Sequence, residues 1–137
     1  MDITVKNLQS KIPVYPTSIK AVGLKVSRSL GLGKHHQDVS VVFVGPKKMR
    51  QINKKFLGHD YVTDVITFDD GPFCAEIVIC PQVALRQAKD YGVSVKREIL
   101  LYLVHGLLHL AGYDDAKPED FESMQARQED LLERYYV

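Results

Sequence analysis

Residues 99–111 read ILLYLVHGLLHLA, a stretch that would be apolar nearly all the way round a helix. A helix with no polar face has to be covered on every side. This one is too short to cross a bilayer and carries two histidines. It therefore predicts a central buried helix around which the other elements are built. Ser94 reads as its N-cap and Gly112 as its stop, which sets the helix at about residues 95–111.

The flanking sequence supplies those elements. Alternating or β-branched runs predict strands over about 3–6, 38–44, 62–68 and 75–80. Apolar stripes predict helices over about 17–30, 47–57, 81–91 and 118–134. Gly31, Gly33 and Gly92 act as stops, and Pro81 as a start. Asp69-Asp70-Gly71-Pro72 is a turn, because Gly and Pro supply its backbone angles. The expected architecture is α/β (α+β): a small four-stranded mixed sheet with about five helices. With 137 residues and neither repeat nor linker, one domain over 1–137 is expected.

The chemistry concentrates in residues 105–115, HGLLHLAGYDD. Helical residues four apart lie ~40° apart around the axis, so His105 and His109 point the same way. They can share one ion at ~2.0–2.1 Å per nitrogen. Gly112 permits the backbone to turn back and bring Asp114 or Asp115 to the same point. We place the third ligand at Asp115, with Asp114 as the competitor. The spacing parallels the metzincin pattern H-E-x-x-H-x-x-G-x-x-H, with Asp115 at the last place. The protease general base beside the first histidine is here Gly106, which counts against peptide hydrolysis. Zinc is the expected ion, and nickel or iron also suits a two-histidine carboxylate set.

Charge divides along the chain: residues 1–60 carry eleven Lys/Arg against three Asp/Glu, residues 61–137 seven against fourteen. A basic surface of this kind suits a polyanion such as RNA, unless the halves interleave and cancel. Arg50, Lys54 and Lys55 are the RNA-binding candidates, with Lys47 and Lys48 on the same helix. Met1 to Lys6 reads as a strand and not as a signal peptide, so a cytoplasmic location and no membrane partner are expected. Cys74 and Cys80 fit reduced, unreactive thiols. Tyr135 and Tyr136 are expected to pack back on the fold.

HGLLHLAGYDD resembles the H-G-x-L-H-L-x-G-Y-D-H signature of the YbeY family of bacterial rRNA maturation factors. Ile52-Asn53 through Thr63-Asp64-Val65-Ile66-Thr67-Phe68 resembles that family's L-N-x-x-Y-R-x-K-D-x-x-T-D-V-L-S-F, and residues 75–80 fall where it has a G-D/E-I-x-I strand. The resemblance implies a metal-dependent, single-strand-specific endoribonuclease acting in small-subunit (16S) rRNA 3′-end maturation and ribosome quality control. Its partners would be rRNA and the small ribosomal subunit or its assembly factors. His105 and His109 carry over as metal ligands, and the third family histidine falls at Asp115. Leu57 stands where the family has Arg, Phe56 where it has Tyr, and His59 where it has Lys. That departure defines an alternative, a weakly active or non-catalytic ribosome-assembly factor with a structural metal. Asp64 and His59 are the candidates for proton transfer, though Asp64 can equally be a strand-end hydrogen-bonding group.

Overall fold

Parallel strands need a crossover long enough to hold a helix, and the spacing of the β-branched runs allows two. The computed structural model describes residues 1–136; Val137, the last residue of the expected domain, lies outside them. Strands β1 (Asp2–Asn7) and β2 (Asp38–Phe43) pair in parallel, joined over α1 (Pro16–Leu30). Strand β2 also pairs in parallel with β4 (Ala75–Ile79), and β3 (Val65–Asp69) runs antiparallel to β4. The sheet order is β1-β2-β4-β3, a four-stranded mixed sheet. The remaining helices are α2 (Pro46–Leu57), α3 (Pro81–Tyr91), α4 (Val95–Leu110) and α5 (Pro118–Tyr135).

Four of the five helices begin on proline: Pro16, Pro46, Pro81 and Pro118. Proline's fixed φ suits the first helical position, where its missing N–H is not needed. This moves α1 and α2 one residue ahead of the starts expected from Thr17 and Lys47. A short 3-10 turn at Leu32–Lys34, not expected from the sequence, follows α1. Strand β3 starts later than residue 62, because Asp64 turns its carboxylate onto the Val65 N–H at 2.7 Å.

Helix α4 is the covered centre. Leu100, Leu103, Val104, Leu107 and Leu108 are fully buried, among Ile3, Val39, Val41, Phe43, Ile77 and Ile79 of the sheet. Helices α1, α3 and α5 pack on its other sides. Each such side chain contributes ~1.5–3 kcal/mol on burial. The opposite sheet face is closed by Met49 of α2 and Val83 of α3 over Ile66 and Val78. No helix among the described residues is long and apolar enough to cross a membrane.

Tyr135 packs back on the core, as expected, whereas the Tyr136 ring stays exposed and reaches the fold through its hydroxyl. Tyr135 Oη lies 2.6 Å from Ser29 Oγ of α1, and Tyr136 Oη 3.1 Å from Ser94 Oγ at the start of α4. Ser94 Oγ also accepts from the Arg97 N–H at 3.1 Å, the N-cap the sequence predicts. Cys80 is buried, and burial pushes its thiol up, away from thiolate chemistry.

Candidate metal centre and adjoining hollows

The apolar run buries most of α4 and leaves Arg97, Leu101, His105 and His109 as a partly covered stripe, with Glu98 and Tyr102 buried beside it. His105 and His109 are half-buried, with ring centroids 4.6 Å apart and an 82° angle between planes. His109 Nδ1–H donates to the Tyr113 carbonyl oxygen at 3.1 Å. That carbonyl is placed by Gly112, whose φ of +96° turns the chain back at the helix end. His105 Nδ1–H donates to Gln128 Oε1 of α5 at 2.9 Å. Both inner nitrogens therefore carry the proton, and the two Nε2 atoms face each other at 3.1 Å with their lone pairs.

Two facing lone pairs repel, and a cation between them removes the conflict. Two nitrogens bound tetrahedrally to one zinc sit about 3.3 Å apart, from bond lengths of ~2.0–2.1 Å, and the observed 3.1 Å is close to that separation. Asp115 Oδ2 lies 3.8 Å from His109 Nε2. Ligand atoms of His105, His109 and Asp115 all fall within 4.8 Å of one another, so this group could hold a metal ion. The Asp114 carboxylate is turned to the Ala116 N–H at 3.1 Å. Burial pushes His105 down, opposed by its bond to Gln128 and by the charges of Asp64 and Asp115. The neutral imidazole so favoured is the form that binds a metal.

Two hollows share Val65 and His105 in their walls. One, of about 320 Å³, is a groove lined by Leu57, Val65, Ile66, Thr67, Asp69, His105 and His109. The other, of about 420 Å³, runs along Asp64, Glu98, Tyr102, His105 and Gln128. Asp64 thus lies beside His105, while its carboxylate serves the strand-end bonds to Thr63 and Val65. His59 lines neither hollow; it is exposed, stacked on Tyr61 at 5.4 Å and bonded to the Tyr61 hydroxyl. Of the basic candidates, Arg50 and Lys54 both turn to Asp60, at 2.8 and 4.0 Å. Lys55 Nζ sits 5.3 Å from the centre of the exposed Phe56 ring. Gly106 faces the sheet, where a Cβ would lie 2.8 Å from Ile77 Cγ2, so no general base can occupy that position.

Three partners escape a reading of motifs alone. Gln128 is a polar residue among Met124, Leu131 and Leu132 on the buried stripe of α5, a spacing that could have marked it. Glu98 lies beside the stripe of the histidines and is buried. His36 is buried and bonds Asp69 at 3.0 Å, joining positions 33 apart with no local signal.

The fold and the site define a small mixed α/β protein with a histidine–carboxylate group that could hold a metal ion, its two histidines lining a groove. A model of the family described as Endoribonuclease YbeY matches residues 4–136. The chain is 38% identical over 125 residues to an Endoribonuclease YbeY of Elusimicrobium minutum, covering 85% of this chain and 87% of that protein. It is 35% identical over 148 residues to the one of Desulforamulus reducens, covering 98% and 97%. The solution structure of TM1509 from Thermotoga maritima superposes with a TM-score of 0.69 at 25% identity, over 98% of this chain and 89% of that one. The chain belongs to the YbeY endoribonuclease family.

Proposed function

We propose that this chain is a metal-dependent endoribonuclease that cuts single-stranded RNA in small-subunit (16S) rRNA 3′-end maturation and ribosome quality control. It would act in the cytoplasm on ribosomal particles. The observation that carries this reading is the group His105, His109 and Asp115, with ligand atoms within 4.8 Å of one another, and with His105 in the walls of both hollows. We assign these three residues as ligands and zinc as the ion. When bound, the ion supplies Lewis acidity toward a phosphate oxygen. Gln128 and the Tyr113 carbonyl hold the imidazoles in the binding tautomer. The groove beside them takes the RNA backbone, with Lys55 of α2 as the source of positive charge not turned to Asp60.

Leu57 lines that groove where the family carries Arg, so the groove wall is apolar there. This favours, as the second reading, an assembly factor that keeps the metal for structure. Elemental analysis of the purified protein beside His109→Ala and Asp115→Ala tests the site. Stoichiometric metal in the wild type, lost in both variants, is expected. Metal retained in Asp115→Ala moves the third ligand elsewhere; no metal in the reconstituted wild type removes the site. Cleavage of single-stranded RNA that a chelator stops then separates the nuclease from the assembly factor.

A further inference from the structure

The larger hollow has a composition unlike that of a phosphate site. Its walls carry three carboxyls, Asp64, Glu98 and Glu129, against one guanidinium, Arg97, which is itself paired to Glu129 at 3.1 Å. Like charge keeps a phosphate out. Yet the hollow shares Val65 and His105 with the groove over the metal group, so a nucleotide whose phosphate lies at that group has this space beside it. Its volume of about 420 Å³ falls in the range of small-ligand pockets.

The sharpest feature is Glu98. It is 2% exposed, and its Oε2 has no hydrogen-bond partner among the described residues. The neighbouring Tyr102 hydroxyl donates its one proton to Gln87 Oε1 at 2.7 Å. A buried carboxyl oxygen with nothing to accept from is destabilising unless a ligand brings an N–H. At the rim, Tyr91 is 69% exposed and offers a flat face on which a base can stack.

We propose that this hollow is a nucleobase subsite that holds the base next to the scissile phosphate and prefers bases with an exocyclic amino group over uracil, through Glu98 Oε2. The proposal rests on the endoribonuclease reading. A carboxylate accepts from the amino group of cytosine; at the same place uracil presents a carbonyl oxygen, whose lone pairs would oppose those of Glu98. Gln87 and Gln125 are the remaining polar groups able to read the base edge.

The test is binding of fluorescein-labelled 2′-O-methyl hexacytidylate and hexauridylate to the zinc-loaded protein at one fixed salt concentration. The wild type is expected to bind the cytidine strand about tenfold more tightly, the effect of one buried hydrogen bond made or lost. Glu98→Gln, whose amide can donate as well as accept, should bring the ratio near one with zinc content unchanged. Gln125→Trp, at an exposed position on the rim, should do the same by covering the mouth, and does not disturb the core. Equal affinities in the wild type, or an undiminished ratio in both variants, would overturn the subsite. Base discrimination without cleavage of any RNA would sink the nuclease reading and leave the subsite standing. Cleavage without discrimination would do the reverse.

Discussion

A single methyl group at position 106 separates two demands on α4. In a helix, Ala is favoured over Gly by ~1 kcal/mol. At Gly106, however, the added carbon would lie 2.8 and 2.9 Å from Ile77 Cγ2 and Cδ1, and Ile77 is fully buried. Overpacking of this kind costs ~1–3 kcal/mol, so packing wins over propensity. Gly106→Ala is expected to destabilise the protein by about that amount, read as a lower urea midpoint at unchanged slope. A higher midpoint would show that α4 can lift from the sheet at no cost. The glycine is there so that the helix lies close on β4, and the same closeness brings His105 and His109 to the sheet edge.

At the scale of the element, α5 acts on the proposed metal group through a residue that is not one of its proposed ligands. Gln128 reaches from its buried stripe to His105 Nδ1. Replacing an outer partner of a metal-binding histidine commonly costs 10–100-fold in affinity. Gln128→Met, which keeps the apolar volume, should weaken zinc binding by about that factor in a chelator competition titration while the fold is retained. Unchanged affinity would mean that Gln128 does not fix the tautomer. Most elements were legible in the sequence because proline and glycine mark their ends and the apolar spacing marks their faces. The group His105, His109 and Asp115 was legible because all three residues sit on one helix and its turn. Gln128, Glu98 and the His36–Asp69 pair were not, since each meets its partner only after packing, and the sheet order β1-β2-β4-β3 rests on contacts that no local pattern encodes.

At the scale of the whole molecule, burial of Glu98 makes stability depend on pH. Burial pushes its carboxyl up from 4.5, partly opposed by the Tyr102 hydroxyl and the Arg97 charge. The folded state therefore holds this proton more firmly than the unfolded chain does. The associated stability is fully present below pH 4.5 and is lost as pH rises through the folded value. Glu98→Gln carries no such proton. Thermal unfolding of the metal-free proteins should show the melting temperature of the variant gaining on the wild type from pH 4.5 upward. A constant gap would remove Glu98 as the source of any slope. The uneven charge along the chain persists at this scale: Arg50 and Lys54 turn to Asp60, and Lys20 to Asp2, pairs that lie within the basic half and leave its excess of positive charge in place.

The two bonds that α5 makes from its middle and its last residue, Gln128 to His105 and Tyr135 to Ser29, have a consequence for how the protein is born. Translation delivers the histidines first and their holder some twenty residues later (Gln128 is 23 positions beyond His105). A nascent chain that has folded through α4 still lacks the clamp on its first imidazole. His105 therefore gains the partner that fixes its tautomer only once α5 has been made and packed on α4.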